Sequence, residues 1–228
     1  MDQQQRRDPF QLPDVTGLTV GVIGGTGDQG RGLAQRWAGA RMSVIIGSRS
    51  VERAQAAADE IGHGVRGSGN IECARSSDIV LIAVPWSGHD ATIKDLAADL
   101  PGKIVIDCVN PLGFDKRGAY CLPVAEGSAT QRAAALLPDS TVVGAFHNVS
   151  AVELGDESKP EVSADVLVLS DARDAGETVQ ALADVIPGMR GLYGGRLRNA
   201  AQVEALTANL ISMNRRYRAH ATIRVSGV

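Results

Sequence analysis

The fold of this 228-residue chain is decided by one stretch, Leu18-Thr-Val-Gly-Val-Ile-Gly-Gly-Thr-Gly-Asp-Gln-Gly30. It opens as a short apolar, β-branched run, which predicts a buried strand. Gly25, Gly27 and Gly30 then fill the spacing GxGxxG, and an amphipathic helix is predicted over Gln29–Ala40. In this spacing the first glycine makes a tight turn, the second lets the backbone approach a pyrophosphate, and the third allows close helix–strand packing. Because the motif follows a strand and opens a helix, it predicts a dinucleotide-binding site.

The rest of the chain alternates apolar runs with helical patterns. Strands are predicted at residues 18–24, 43–47, 78–84, 103–108, 141–146 and 165–170, and helices at 29–40, 50–61, 90–99, 127–137, 174–186 and 199–219. Such alternation is typical of βαβ units with helices on both faces of a parallel sheet. We therefore predict an α/β fold, a doubly wound, mostly parallel Rossmann sheet with a C-terminal helical cap. Gly191–Gly195 is interpreted as a glycine-rich turn between the last two helices, and Gly67 and Gly69 as ordinary loop positions.

The composition excludes several classes of protein. Twenty-three Lys and Arg against 26 Asp and Glu leave a formal charge of −3, without the basic footprint of a nucleic-acid binder. No apolar run reaches the roughly 18–20 residues needed to span a bilayer. The polar N-terminus has no apolar core of the kind found in secretory signals. We therefore expect a cytoplasmic protein with no nucleic-acid or membrane partner.

Cysteine and histidine give no sign of a metal centre. Cys73, Cys108 and Cys121 match no ligand spacing, and we interpret them as small buried hydrophobic residues. The four histidines form no HxH or HxxxH cluster. We therefore predict no metal site.

The end of the second strand predicts which dinucleotide is bound. Sites that prefer NAD usually place Asp or Glu there, to accept from the ribose 2′-hydroxyl. This chain has Ser48 and Arg49 instead, with Arg53 one turn further on. A hydroxyl and two guanidiniums can converge on a 2′-phosphate, which a carboxylate would repel. The arginines could also be solvated surface charges, but cations in a first helical turn oppose the helix dipole. The pattern favours NADP over NAD.

Three further segments follow predicted strands, where ligands of open α/β sheets bind. They are Val84-Pro85-Trp86, Asn110-Pro111-Leu112 and Phe146-His147-Asn148-Val149. Trp86 fits a wall of the cofactor cleft or a cap on the core, and His147 fits a site residue or a buried histidine bonded to backbone. No Ser-His-Asp order, paired carboxylates or lysine motif is present, which is compatible with simple hydride transfer, in which the cofactors carry the chemistry.

Several segments together resemble the NADP-linked coenzyme F420 oxidoreductases. They are GVIGGTGDQGRGLAQRWA from residue 21, VIIGSRSVERA from 44, LIAVPW from 81 and VVGAFHNVSA from 142, and the similarity spans residues 18–228. The resemblance implies an enzyme that transfers a hydride directly between the 5-deazaflavin coenzyme F420 and NADP(H). Family members are commonly homodimers whose C-terminal helices pack together, so a homodimer is expected.

The resemblance also implies roles for individual residues. Thr26, Gly27, Asp28 and Gln29 would hold the pyrophosphate; Ser48, Arg49 and Arg53 the 2′-phosphate; Val84, Pro85 and Trp86 would line the groove; Val149 and Ala151 would pack against the nicotinamide. The deazaflavin would lie between the nicotinamide and the C-terminal helices, with Asn110-Pro111, His147 and Ala221–Ile223 as contacts. His147 would polarise or orient the ring system by donating a hydrogen bond, without acting as an obligatory acid.

Three segments are expected. Residues 1–16 form an N-terminal extension, 17–148 the NADP-binding Rossmann domain, and 149–228 a smaller C-terminal part that completes the deazaflavin site and the dimer contact. The extension has no counterpart in the shortest family members. A histidine is expected one position before His89, which is therefore not counted as a site residue.

Other functions also fit an NADP-binding domain of this kind. An NADPH-dependent reductase of a flavin or ferric chelate is the nearest enzyme, and a non-catalytic NADP-binding sensor is the alternative from another class. Reductases of small acids or imines usually need a larger helical second domain, and only about 80 residues follow His147.

Overall fold

The structure, a computed structural model, describes residues 8–228. Arg6 and Arg7 of the expected extension lie outside the described residues. The strands are β1 (Thr19–Ile23), β2 (Ser43–Ser48), β3 (Arg66–Gly69), β4 (Ile79–Ile82), β5 (Ile104–Asp107), β6 (Leu112–Asp115), β7 (Gly118–Cys121), β8 (Thr141–Gly144), β9 (Ala164–Leu169) and β10 (Met189–Gly195). The helices are α1 (Asp28–Gly39), α2 (Val51–Ile61), α3 (Asn70–Arg75), α4 (His89–Leu96), α5 (Ala129–Leu136), α6 (Ala151–Gly155), α7 (Arg173–Asp184) and α8 (Ala200–Tyr217), with short 3-10 turns at Trp86–Gly88, Ala97–Asp99 and Leu197–Asn199.

One eight-stranded sheet organises the molecule, in the order β10-β9-β8-β5-β4-β1-β2-β3. The adjacent strands β8, β5, β4, β1, β2 and β3 of this sheet are all parallel. β1 pairs with β2 and β4 through Val20, which lies opposite Val44 and Ile79. β9 joins β8 by a single antiparallel bridge, Gly144 to Leu169, and runs parallel to β10. The predicted α/β, mostly parallel Rossmann fold is confirmed, and the carboxyl ends of its central strands meet at one edge.

The strands of the sheet centre are buried on both faces, as their unbroken apolar runs predict. Helix α1 covers one face through Trp37, whose indole is fully buried and donates to the carbonyl of Leu182 on α7, at 3.0 Å. Helix α1 also fixes α6, because the Arg36 guanidinium donates to the carbonyls of Glu153 and Leu154 in that helix and of Asp156 and Lys159 in the turn after it. The last carbonyls of a helix lack partners within it, and Arg36 supplies them.

Two interpretations of glycines are wrong. Gly191–Gly195 is not a turn but part of β10, which packs beside β9. A Cβ at Gly191 would lie 2.4 Å from the backbone of Gln180, so glycine there lets α7 approach the strand. Gly67 is likewise in strand β3, where a Cβ would meet the backbone of Ala54 at 2.3 Å. Both are close-packing positions between a helix and a strand.

Several elements were not predicted from the sequence. They are strand β3, helices α3 and α6, and the antiparallel hairpin β6–β7. The hairpin packs against α8, where the Cys121 thiol donates to the carbonyl of Ala205, at 3.7 Å. α8 itself confirms the predicted long C-terminal helix.

The segment after α8 returns to the start of β9. The carboxylate of Asp165 is buried and accepts from the guanidiniums of Arg190 and Arg224 and from the backbone N–H of Val225. Hydrogen bonding from Arg190 outweighs burial and holds the pKa of Asp165 well below its usual range. This carboxylate ties the last described residues to the β9–β10 pair.

Within residues 8–228, no helix combines the length and apolar character that crossing a bilayer requires. The same residues contain no group of three or more His, Cys, Asp or Glu side chains arranged to hold a metal ion. Cys73 and Cys108 are buried as predicted, and burial raises the pKa of the Cys73 thiol to about 12. The prediction is wrong for Cys121, which is exposed.

Candidate functional site

A cleft of about 600 Å³ opens at the carboxyl ends of β1, β2 and β4. It brings together seven of the residues predicted from the sequence: Thr26, Gly27, Ser48, Arg49, Arg53, Val84 and Pro85. The register of the three strands explains this, because parallel neighbours end at the same edge of the sheet.

The glycine loop forms the floor of this cleft. Gly24 has φ +83°, a conformation that side chains other than glycine rarely adopt. A Cβ at Gly30 would lie 2.7 Å from the carbonyl oxygen of Gly24, so α1 can start this close to β1 only with glycine there. Gly27 caps α1 without any side-chain hydrogen bond to the first turn. Free N–H groups and the positive end of the helix dipole therefore face the cleft, as an anion site requires.

The opposite wall carries unpaired positive charge. Arg49 and Arg53 are exposed, and neither guanidinium has a carboxylate partner within residues 8–228. Ser50 caps α2 by accepting from the backbone N–H of Arg53, and its hydroxyl donates to the carboxylate of Glu52, at 2.8 Å. Two cations in the first turn of a helix are electrostatically unfavourable unless an anion joins them. The wall therefore fits a phosphate monoester.

Asn70 is a cleft residue that the sequence did not reveal. It follows β3, whose Gly69 pairs with Ser48, and so lies beside the end of β2. Its Oδ1 is buried and has no hydrogen-bond partner among the described residues. Buried acceptors are rarely left unpaired, so this amide is suited to a donor supplied by a ligand. Detecting it required knowing that β3 exists.

Trp86 does not line this cleft. It lines a neighbouring one of about 440 Å³, together with Pro123, Glu126 and Arg132. Beneath it lies His89, whose imidazole centroid is 5.2 Å from that of the indole.

His89 is fully buried, with Nε2 2.7 Å from the Oδ2 of Asp107. Burial lowers the pKa of His89, but hydrogen bonding to Asp107 and Asp90 outweighs this and the pKa is raised. His89 therefore supports the loop that carries Trp86 and has no exposed surface with which to touch a ligand.

The turn after β8 adopts an unusual backbone conformation. Phe146 has φ +64° although it is a bulky residue, and its ring is fully buried, edge-on to Trp37 at 5.5 Å. The Phe146 carbonyl accepts from Nε2 of Gln29, at 3.2 Å. The His147 carbonyl accepts from Nδ2 of Asn110 at 2.9 Å and from the hydroxyl of Thr207 at 3.0 Å. Non-glycine residues at positive φ cluster at functional sites, so this turn is a candidate site element.

The side chain of His147 lies inside the protein. Its Nε2 is 3.5 Å from the hydroxyl of Thr130, which donates to Glu204, and this arrangement suits an imidazole that carries its hydrogen on Nε2. The buried Nδ1 is then an acceptor, and it has no partner among residues 8–228. Burial lowers the pKa of His147 to about 4, so the ring is neutral at neutral pH. Among the described residues the ring makes no hydrogen bond to a backbone group, so the expected backbone-bonded histidine is not found. The role of His147 toward the deazaflavin stays a prediction.

Glu204 on α8 is the hydrogen-bond partner of the Thr130 hydroxyl beside His147. Its buried carboxylate accepts from the backbone N–H groups of Ala129 and Thr130 and from the Thr130 hydroxyl, at 2.9–3.0 Å. Burial raises the pKa of Glu204, and these hydrogen bonds oppose that shift. The carboxylate lies at the N-terminus of α5, where a negative charge is favoured. Asn148 donates to the carbonyl of Val203, so α8 holds both α5 and the turn.

The remaining predicted residues lie around rather than on the cleft surface. Asp28 is the exposed first residue of α1, Val149 is buried, and Ala151 is the half-buried first residue of α6. Residues 221–223 bond to the strand start at residues 163–165. Asn110 keeps its Oδ1 buried without a partner among the described residues, at the same edge as the turn.

Comparison with known proteins agrees with this geometry. Residues 19–111 match the family described as NADP oxidoreductase coenzyme F420-dependent. The chain is 39% identical over 223 residues to the F420-dependent NADP reductase of Methanothermobacter thermautotrophicus, covering 92% of this chain and 96% of that one. The chain belongs to the F420-dependent NADP reductase family.

Two other similarities show how much of the chain is shared with known proteins. A crystal structure from Arthrobacter sp. FB24 covers 92% of this chain and all of its own, with a TM-score of 0.80 at 23% identity, which supports the reductase fold throughout. The metalloreductase STEAP3 of Rattus norvegicus is 31% identical over 192 residues, but the reductase chain described here spans only 37% of its length. The family resemblance seen in the sequence is thus confirmed.

Proposed function

We propose that this chain transfers a hydride directly between NADP(H) and coenzyme F420. The observation that carries the proposal is the cleft in which a glycine loop faces the unpaired guanidiniums of Arg49 and Arg53. The near full-length relative named F420-dependent NADP reductase supplies the second coenzyme. The balanced reaction is NADPH, oxidised F420 and a proton giving NADP⁺ and reduced F420.

The adenosine half of NADP is assigned to the open end of the cleft. The N-terminus of α1 receives the pyrophosphate through backbone N–H groups of Asp28 and its neighbours. Arg49, Arg53 and the Ser48 hydroxyl receive the 2′-phosphate, with charge-assisted hydrogen bonds that the 2′-hydroxyl of NAD cannot match. Asn70, the first residue of α3, contacts the adenosine from the end of β3. These residues fit NADP because none of their charges is neutralised by a described carboxylate.

The nicotinamide is assigned to the inner end, between Val84–Pro85 and the residues Val149 and Ala151. When bound, the two coenzymes supply the redox chemistry, a hydride passing from C4 of one ring to C5 of the other. The chain's own residues orient the rings and exclude water. No proton donor is needed at the reacting carbons, which agrees with the neutral, buried His147.

The deazaflavin is assigned to the side of the turn that faces α8 and the hairpin. Asn110 supports this, because its buried, unpaired Oδ1 suits a ligand N–H donor. Residues 17–148 would then bind NADP, and 149–228 would complete the deazaflavin site. Exposed Phe114 and Tyr217, on the hairpin and α8, give these packed elements an apolar face for a second copy. The homodimer and the cytoplasmic location stay predictions.

The other functions are less well supported. The metalloreductase is less similar to this chain, at 31% identity against 39% for the F420-dependent NADP reductase, so reduction of ferric chelates is not favoured. A sensor without turnover would not need the strained turn after β8 to be held from three elements.

The test mixes the purified protein with NADPH and oxidised F420 and follows the loss of deazaflavin absorbance. Matched reactions replace F420 by free flavin or by a ferric chelate, and NADPH by NADH. We expect rapid loss of absorbance with NADPH and F420, and at least tenfold slower turnover in each replacement. Faster reduction of free flavin or ferric chelate than of F420 would assign the chain to the rival reductase.

A further inference from the structure

The turn after β8, residues 146–148, has its backbone carbonyls held by side chains from three separate elements. Asn110 follows β5 and Thr207 lies on α8, and both donate to the His147 carbonyl. Gln29 donates to the Phe146 carbonyl from the first turn of α1. Of these three, Gln29 alone comes from the glycine fingerprint itself.

The hydrogen bond from Gln29 falls on a residue with a strained backbone conformation. Phe146 is fully buried with φ +64°, a region that bulky side chains seldom occupy because Cβ crowds the backbone. Such a conformation persists only where the surroundings fix it from several directions. Trp37 packs against the ring and Gln29 holds the carbonyl, so α1 supplies both restraints.

This contact changes the role expected of Gln29. One of the two hydrogens on its amide nitrogen donates to the Phe146 carbonyl at 3.2 Å, so the side chain is directed toward the turn. Its backbone N–H, in the first turn of α1, remains suited to that task.

We propose that Gln29 is a positioning residue, which couples the dinucleotide loop to the turn at Phe146 and thereby sets the residues that face the nicotinamide. The proposal rests on the proposed function, since Val149 directly follows this turn and is assigned to the nicotinamide. Hydride transfer depends steeply on the placement of the two rings, and a displacement of 1 Å can cost about 100-fold in rate. Recognition of the pyrophosphate, by contrast, depends on the backbone of α1.

The experiment replaces Gln29 by Met, which keeps the length of the side chain and removes the donor. The matched control is Gln35→Met on the same helix, whose Nε2 donates to the exposed carboxylate of Glu157 at 3.1 Å. Titration gives the Kd for NADP⁺, and stopped-flow absorbance gives the rate constant of hydride transfer. We expect Gln29→Met to slow hydride transfer about tenfold or more while the Kd changes less than about twofold. The control should change neither.

A second variant and a second signal keep the two proposals separable. Gln29→Leu also removes the donor without adding a charge and should give the same split between rate and Kd if Gln29→Met fails to fold. In a Trp86→Phe background, NADP⁺ binding should change the emission of Trp37, which touches Phe146. Gln29→Met should remove at least half of that change at saturating NADP⁺. This signal needs no F420, so it stands even if F420 turnover is absent and the proposed function fails.

Two results would overturn the assignment of Gln29. A raised Kd with an unchanged rate constant would make its side chain a pyrophosphate ligand. Unchanged Kd, rate constant and Trp37 emission in a folded variant would show that the contact with Phe146 has no role in positioning.

Discussion

The cofactor cleft and the turn after β8 are built on opposite principles, although they share one edge of the sheet. The cleft leaves its polar groups uncommitted, with free N–H groups in the first turn of α1 and unpaired guanidiniums at Arg49 and Arg53. The turn satisfies its carbonyls internally, through partners 117, 37 and 60 residues away in sequence. A site for a charged ligand needs polar groups that are unpaired before the ligand binds. A site that orients a ring needs groups that are fixed by bonds within the protein.

The largest effect is expected from breaking the buried network behind the turn. Glu204→Leu leaves the N–H groups of Ala129 and Thr130 and the Thr130 hydroxyl without an acceptor. Each lost partner costs about 1–3 kcal/mol, so we expect a decrease of about 4 kcal/mol in the free energy of unfolding. Urea denaturation measures it. Gln202→Leu, an exposed position of the same helix, should stay within about 0.5 kcal/mol; equal losses in both would show that α8 tolerates no change at all.

The next largest effect is expected from changing the backbone of the glycine loop in the cleft. Gly30→Ala places a methyl group 2.7 Å from the Gly24 carbonyl, so the loop must shift away from its anion-binding geometry. We expect the Kd for NADP⁺ to rise about 100-fold, equivalent to about 2.7 kcal/mol, measured by calorimetric titration. Gly39→Ala at the other end of α1 meets no atom within 4 Å and should leave the Kd unchanged. An unaltered Kd in Gly30→Ala would separate the glycine loop from NADP binding.

A smaller effect tests the charge of the cleft without altering its backbone. Arg49→Ala should raise the KM for NADPH about 30-fold, near 2 kcal/mol, because one charge-assisted contact with the 2′-phosphate is lost. The KM for NADH should change less than twofold. Arg41→Gln removes the same charge beyond the far end of α1 and serves as the control. If the two coenzymes respond equally to Arg49→Ala, the 2′-phosphate assignment is wrong.

A further effect, which develops only in acid, concerns the protonation of the buried network. The pKa of His147 is lowered to about 4 by burial, against roughly 6.5 in an unfolded chain. The unfolded state therefore binds the extra proton, and stability falls as pH decreases from 6.5 to 4, by at most about 1.4 kcal/mol per pH unit. His147→Asn removes this dependence. Denaturation of both proteins from pH 7 to 4.5 should give converging stabilities, and parallel curves would mean that His147 titrates alike in both states.

The sequence predicted the cleft well because its signals are local. Gly25, Gly27 and Gly30 lie within six residues, and Ser48 and Arg49 end the next strand of the same βαβ unit. Such short-range patterns carry their own geometry, since strand, turn and helix follow one another directly. The assignments of Ser48, Arg49 and Arg53 to one wall of the cleft follow from this.

The turn and its partners were beyond sequence reasoning for a physical reason. Nothing near Gln29 indicates that its amide meets a carbonyl 117 residues away, and Glu204 looks like any surface glutamate of an amphipathic helix. Asn70 escaped notice because β3, Arg-Gly-Ser-Gly, holds no apolar residue to mark a strand. Gly191 was misread because a glycine needed for close packing looks the same in sequence as one needed for a turn.

The left-handed conformation of Phe146 carries a consequence for protein engineering. Exchanging it for glycine would relieve the backbone by about 1–2 kcal/mol, yet would lose the buried ring, whose removal costs about 3–5 kcal/mol. Selection for heat resistance would therefore retain the aromatic ring, and any remedy for the strain would have to come from Trp37 or Gln29. A variant made more thermostable by repacking those two positions would therefore be expected to lose turnover.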